Sequence, residues 1–325
     1  MGKELKDKFN RVITYLRISV TDRCNLRCRY CMPEKGVEFY SHDEILRYEE
    51  IEKIIDAAVE LGMKKVRFTG GEPFVRRGFV EFLTRVHKRF PDLEIALTTN
   101  GVLLGKYVDL LKNAGVSRLN VSMDTLIPEK YRYITRVGKL GDVLHGIDRA
   151  IEVGFEYLRI NVVAMKGFNT DELFDFVDFT AVKPVIVRFI EFMPLGGGVW
   201  NKDRFVSAVE LRKMIEEKRK LHPLVGGKDT DGPAVYYKVE GAGIIGFIAA
   251  MTEHFCERCN RLRLTSIGQL RPCLFSDRGV DLRAILRGGG SKEDLMRGIT
   301  EAVNMKPAGW WEVIRTSTVM SRIGG

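Results

Sequence analysis

Long apolar runs are missing from this chain. None reaches eighteen residues, so no membrane-spanning helix is expected. An apolar leader is missing too: the N-terminus MGKELKDKFN is charged, which gives a cytoplasmic location as the expectation. There is no low-complexity segment and no short repeat. Histidine is scarce, with five residues in 325 and none before His42. Cysteine is nearly as scarce, yet its six copies are not scattered. Cys24, Cys28 and Cys31 form one triplet, and Cys256, Cys259 and Cys273 form another. In a reducing compartment such clusters are poor disulfide candidates and better metal ligands or redox groups.

What is present bounds the fold. Apolar residues make up 45% of the chain, enough for a sizeable core. Strand-like and helix-like segments alternate: RVITYLRISV (11–20), a helical pattern over 48–61, KKVRFTG (64–70), a helix around 77–90, EIALTTNG (94–101), a helix near 103–114, SRLNVSMD (117–124), a helix at 141–153, YLRINVVAM (157–165) and PVIVRFIEFM (184–193). Ser41–Glu44 reads as a capping box for the first helix, and Asn169 or Thr170 as a cap for a later one. Six β–α units with continuous apolar strands predict a parallel sheet buried on both faces. They are too few for a closed eight-fold barrel. An open partial (βα)6 TIM-like barrel over 1–204 is the first expectation, and a doubly wound open sheet the second. Residues 205–325 read as a smaller α+β domain. In it GPAVYYKV and GIIGFIAAM form antiparallel strands, RLRLTSIGQLRPCLF forms a hairpin turning near Gly268, and helices cover 281–287 and 291–303.

The first triplet poses a question of number. Soft thiolates select zinc, copper(I) or iron–sulfur clusters. Structural zinc wants four ligands, and no histidine lies near enough to be the fourth. A [4Fe–4S] cubane held by three thiolates keeps one iron open to an outside ligand. The second triplet, Cys-x2-Cys-x13-Cys, leaves a zinc alternative through His254, although His254 precedes Cys256 by only two residues. The net charge of +9 suits either a solvated basic surface or an anionic ligand.

The motif C-x-x-x-C-x-x-C after a first strand, followed by Gly70–Pro73 (GGEP) after a second, resembles the signature of radical S-adenosylmethionine (SAM) enzymes. Within them the chain resembles the GTP 3′,8-cyclase family of molybdenum cofactor biosynthesis. The resemblance runs through YLRISVTDRCNLRCRYCMP, VRFTGGEPF, LTTNG, NVSMD, RFIEFMPLG, CNRLRLT, RPCLF and the terminal MSRIGG. It implies two [4Fe–4S] clusters, one on Cys24, Cys28 and Cys31 and one on Cys256, Cys259 and Cys273 in the C-terminal domain. It implies SAM lined by Tyr30, Gly71, Ser122 and Met193. It implies GTP held by Arg17, Arg67, Thr98, Arg159, Arg261, the backbone of Leu262, and Arg263. Arg159 stands where the family usually has Lys. By period two, Arg261 and Arg263 share one face of their strand.

The implied reaction removes the C3′ hydrogen of GTP and joins C3′ to C8 of the guanine, giving 3′,8-cyclo-7,8-dihydro-GTP. Arg263 is the expected catalytic residue, positioning the ring or supplying a proton. The terminal Gly324–Gly325 would reach into the site. The implied partners are GTP, a reductant protein such as flavodoxin or ferredoxin, and the downstream cyclic pyranopterin monophosphate synthase. Nucleic acid and membrane are not expected, and a homodimer fits the resemblance. A peptide-modifying radical SAM enzyme is the alternative within the superfamily. A zinc-stabilised nucleic-acid-binding protein is the alternative outside it.

Overall fold

The computed structural model describes residues 4–195, 200–225, 232–313 and 320–323. Six strands lie side by side in chain order and parallel: β1 (Tyr15–Ser19), β2 (Lys65–Thr69), β3 (Glu94–Thr99), β4 (Val116–Ser122), β5 (Tyr157–Ala164) and β6 (Ile186–Glu191). The crossovers are α1 (Tyr48–Glu60), α2 (Phe79–Arg89), α3 (Leu104–Asn113), the pair α4 (Pro128–Thr135) and α5 (Leu140–Glu152), and α6 (Leu173–Val182). Each presents an apolar stripe to the sheet. In α1 the stripe is Ile51, Ile54, Ile55 and Ala58, all buried at helical spacing. This is the open (βα)6 partial barrel expected from the alternation.

The rest of the chain extends the same sheet at both edges. After α7 (Ala208–Glu216) come β7 (Leu221–Leu224), β8 (Val235–Val239) and β9 (Ile244–Ile248), and β9 pairs parallel with β6. Then β10 (Arg261–Leu264) returns to the far edge and pairs parallel with β1, followed by β11 (Gln269–Arg271) and β12 (Val280–Asp281). The result is one twelve-stranded mixed sheet, continuous across residues 204 and 205. Helices α8 (Leu282–Arg287), α9 (Lys292–Asn304) and α10 (Met320–Ile323) complete the described elements. The expected hairpins are present, with positive φ at Gly241 (73°) and Gly268 (86°) in their turns.

Two local expectations are corrected. Ser41 and Glu44 do bond to each other, Ser41 N donating to Glu44 Oε2 at 2.8 Å, but they close a turn. Helix α1 starts only at Tyr48, where Arg47 N donates to Glu50 Oε2 at 2.6 Å. Asn169 does not cap a helix either. It directly precedes the 3-10 turn Thr170–Glu172, but its side chain instead accepts from Met165 N and donates to the carbonyls of Asp124 and Val163. The Gly324–Gly325 tail lies outside the described residues.

One buried carboxylate joins the β6 end to the segment leading towards Cys256. Glu191 accepts from Ala208 N (2.9 Å), Met251 N (2.7 Å), Thr252 N (3.1 Å) and the Thr252 hydroxyl. Glu191→Ala strands these donors. Its expected cost is about 2–3 kcal/mol, read as a lower denaturant midpoint at unchanged slope.

Candidate active site

The first cysteine triplet sits in the loop after β1, clasped from two sides. On one side Gly71 N donates to Thr21 O and Glu72 N to Arg23 O, both at 2.8 Å. A Cβ on Gly70 would meet Thr21 O at 2.5 Å, and one on Gly71 would meet Arg23 O at 2.1 Å. Gly70 also has φ +150°, so both glycines are required by the approach of the two loops. On the other side Arg27 N and Arg29 N donate to the carbonyls of Thr135 and Ile134 at the end of α4. Between these supports Cys28 O accepts from the backbone of Cys31 and Met32, which folds the last two cysteines into one tight turn.

Glu72 lies under this loop, fully buried. It accepts from Thr99 Oγ1 (2.8 Å), Asn100 N (2.7 Å) and Phe74 N (3.3 Å). Burial nonetheless pushes its carboxyl up to about 7. Asn100, so placed, directs its amide to Asn25 Oδ1 (2.8 Å) and towards Cys24 Sγ (3.7 Å).

The triplet opens onto a cavity of about 280 Å³, near the lower end of typical small-ligand sites of roughly 300–1000 Å³. Of the residues expected from the sequence, Arg17, Tyr30, Arg67, Gly71, Thr98, Ser122, Arg159, Met193, Arg261 and Arg263 all line it. Leu262 does not, since its side chain is wholly buried in the core on the other face of β10. Cys256, Cys259 and Cys273 border an adjoining cavity of about 70 Å³ that shares the walls Met193, Phe255, Arg261 and Arg263.

Charge in the main cavity is one-sided. Seven described cations line it, Lys65 and Arg188 joining the five expected arginines, against one carboxylate, Asp124. Strand register explains the crowding: Arg263 pairs with Arg17, and Arg17 with Arg67, in one row across β10, β1 and β2. Burial, then the neighbouring Arg263, holds Arg17 well below the ordinary guanidinium range. Burial and Arg261 bring Arg263 down to about 10. Tyr15 shows the same field from the acid side. Burial would raise its phenol, but Arg67, Arg17 and Lys65 outweigh it and pull it to about 8. Arg67 Nε donates to the Tyr15 hydroxyl at 2.5 Å.

Several lining groups were not singled out in the sequence: Tyr15, Asn120, Asn161 and Arg188. Most follow from period two. Asn120, like Ser122, faces inward on β4, Asn161 sits two along from Arg159 on β5, and Arg188 faces inward on β6. Asp124 Oδ2 accepts from Tyr30 OH at 2.6 Å and Oδ1 from Val163 N at 2.9 Å, and burial pushes its carboxyl up to about 6.

The two triplets differ in their surroundings. Burial pushes the Cys24 thiol up to about 12. Cys28 is raised chiefly by its hydrogen bond with Cys31, then by burial. At Cys259 burial is outweighed by Arg261 and Lys306, which draw the thiol down to about 6. Lys306 Nζ lies 3.7 Å from Cys259 Sγ, and Arg11 donates to Cys256 O at 2.8 Å. His254 is turned elsewhere, its Nδ1 accepting from Trp310 Nε1 at 3.0 Å. Among the described residues, no three or more His, Cys, Asp or Glu side chains are placed to hold a single metal ion. Each triplet instead offers thiol donors at the wall of a cavity, a donor set that fits an iron–sulfur cluster with one side open.

Two family models cover most of the chain: the Radical SAM superfamily matches residues 18–180, and Molybdenum Cofactor Synthesis C matches 185–311. The GTP 3′,8-cyclase of Thermodesulfovibrio yellowstonii is 50% identical over 99% of this chain and 100% of its own length. That of Pelotomaculum thermopropionicum is 48% identical, again over 99% of this chain and 100% of its own. Among solved structures, Streptococcus suis SuiB is similar in fold, with a TM-score of 0.64 and 17% identity over 93% of this chain and 68% of that one. Its complex with S-adenosylmethionine gives 0.61 and 18%, covering 82% of this chain and 62% of that one.

The Tyr15 environment is directly measurable. Ultraviolet titration of the apoprotein should reveal a phenol ionising near pH 8 that Tyr15→Phe removes. Because its folded value lies below the usual 10, Tyr15 ionisation stabilises the fold progressively from about pH 8 to 10, and the gain is lost as pH falls through 8. A polyanionic nucleotide, by neutralising the arginines, should move the titration upward.

Proposed function

Because the chain belongs to the GTP 3′,8-cyclase family of radical SAM enzymes, we infer that its cationic cavity takes the triphosphate of GTP while the two cysteine triplets face each other across the substrate. The chain is a radical SAM enzyme cyclising GTP in the first step of molybdenum cofactor biosynthesis. The observation that carries the site reading is the row Arg263–Arg17–Arg67, fixed by strand register on the wall of the first triplet's cavity, with Arg263 also lining that of the second.

We assign Cys24, Cys28 and Cys31 to the SAM-binding [4Fe–4S] cluster and Cys256, Cys259 and Cys273 to a second one. When bound, the first cluster with SAM supplies the one-electron chemistry that abstracts hydrogen from the substrate. The protein's own residues orient and shield. Tyr30, Gly71, Ser122 and Met193 would line SAM, with Tyr30 fixed by its hydrogen bond to Asp124. Arg17, Arg67 and Arg159 would hold phosphate oxygens, for which guanidinium forks are suited. Arg67 is already braced by Leu97 O at 3.0 Å and Thr98 Oγ1 at 3.4 Å, so Thr98 serves partly by fixing it. Arg159, 1% exposed, keeps the positive charge of the family's usual Lys. Arg261, the Leu262 backbone and Arg263 would meet the nucleoside, with Arg263 the residue that positions the guanine or delivers a proton.

The same reading extends to the chain's setting: a barrel of residues 1–204 with a C-terminal unit 205–325, a cytoplasmic location and the capacity to form a homodimer. It takes electrons from a flavodoxin- or ferredoxin-type protein and passes its product to cyclic pyranopterin monophosphate synthase. It needs neither nucleic acid nor membrane, and no described helix is long and apolar enough to cross one.

Anaerobically reconstituted protein should be brown, carry roughly eight irons per chain, and convert GTP with SAM and a strong reductant to the cyclised product. Replacing the second triplet by alanine should halve the iron. Colourless protein without iron, binding nucleic acid tightly, would point instead to the zinc alternative. Arg263→Ala should lower kcat by roughly a hundredfold. Arg17→Ala should raise KM for GTP by about tenfold, and Arg159→Lys should stay close to wild type. Full cyclisation by Arg263→Ala removes that residue from the catalytic assignment.

A further inference from the structure

Lys306 is 2% exposed, far too buried for an ordinary surface lysine. It comes just after α9 ends, and Pro307 behind it prevents the helix from continuing. Its Nζ donates to Arg261 O (2.8 Å) and Pro272 O (3.0 Å) and lies 3.7 Å from Cys259 Sγ. An ammonium has three donors, and these three acceptors account for them. The acceptors come from both cysteine-bearing segments. Arg261 follows Cys259, and Pro272 immediately precedes Cys273.

Charge sharpens the point. Among the described ion pairs no carboxylate meets Lys306, whereas the cations Arg11 and Arg261 share its cavity wall. A buried charge needs an opposite one nearby. Here the available anion is sulfur.

We propose that Lys306 is the fixed counter-charge of the second cluster, joining its two cysteine-bearing segments and raising its reduction potential. This rests on the reading that the second triplet binds a [4Fe–4S] cluster. Adding an electron makes a thiolate-bound cluster more negative, so a cation at hydrogen-bond range favours the reduced form. Net charge and hydrogen bonds to sulfur are the levers that set such potentials. Lys306 is thus a positioning residue: it acts through the cluster and need not touch the nucleotide.

The test uses the full chain with Cys24, Cys28 and Cys31 changed to serine, so that only the second cluster contributes. Iron is counted after anaerobic reconstitution, and the midpoint potential is taken from a paramagnetic-resonance redox titration. Lys306→Met should lower the reduced-to-oxidised ratio at a fixed set potential at least tenfold, about 59 mV for a one-electron couple. Lys306→Arg should recover most of that shift. Lys306→Gln keeps donors without the charge and should fall between. It also serves as the deciding variant if the Met protein does not load iron. A wild-type potential in iron-loaded Lys306→Met or Lys306→Gln overturns the proposal and leaves the cluster assignment standing. Absence of iron from the parent protein overturns the cluster assignment itself, and the proposal with it.

Discussion

The parallel pairing of β10 with β1 is the constraint from which the site follows. It brings a segment from late in the chain against the first strand in a register that aligns Tyr15 with Arg261 and Arg17 with Arg263. Since β2 is aligned on the other side of β1, Arg67 completes the row. Adjacent strands lie about 4.8 Å apart. At that spacing two like charges repel by roughly 3 kcal/mol with an effective dielectric near 20, less as the guanidinium ends splay. A protein would not keep such a row for stability. The fold keeps it because Leu262 and Leu264 on the opposite face of β10 are wholly buried in the core, so period two sends the arginines inward. A polyanion entering the cavity would offset part of that cost.

Buried carboxylates are the counterpart that holds the rim. Glu72 gathers donors from Phe74, Thr99 and Asn100 at the ends of β2 and β3. Glu172 takes Leu126 N and Thr125 Oγ1 after β4, with Lys130 beside it. Glu191 binds the α7 start and the segment before Cys256 to the end of β6. Each spends its charge on backbone and hydroxyl donors below the cavity. Among the described carboxylates only Asp124 reaches the cavity wall, and Tyr30 occupies one of its oxygens. The division lets loops with little regular structure hold fixed positions while the cavity stays cationic.

Much of this was legible in the sequence. The cysteine spacing, the glycines beside it and the βα alternation are local signals, and the structure places them together at one end of the sheet. The arginines of β10 share a face, as period two predicts. The same rule run along β4, β5 and β6 reaches Asn120, Asn161 and Arg188. Lys306 was beyond such reading. Two helices separate it from Cys273, and no local pattern links a lysine after a helix to a distant thiol. Ser41–Glu44 failed for the opposite reason. Its capping pattern is satisfied locally, but Arg47 and Glu50 hold the true helix start.

The two triplets end in different electrostatic settings. At Cys24 the groups that bond the sulfur are amides, the backbone of Leu26 and the Asn100 side chain, while the Arg27 guanidinium donates to the Cys24 carbonyl at 2.6 Å. Around Cys259, Arg261 and Lys306 supply positive charge at close range. A cluster held in that pocket would tolerate added negative charge. Arg261 belongs both to this wall and to the row's own strand, so one strand, placed by one register, carries cations to both cavities.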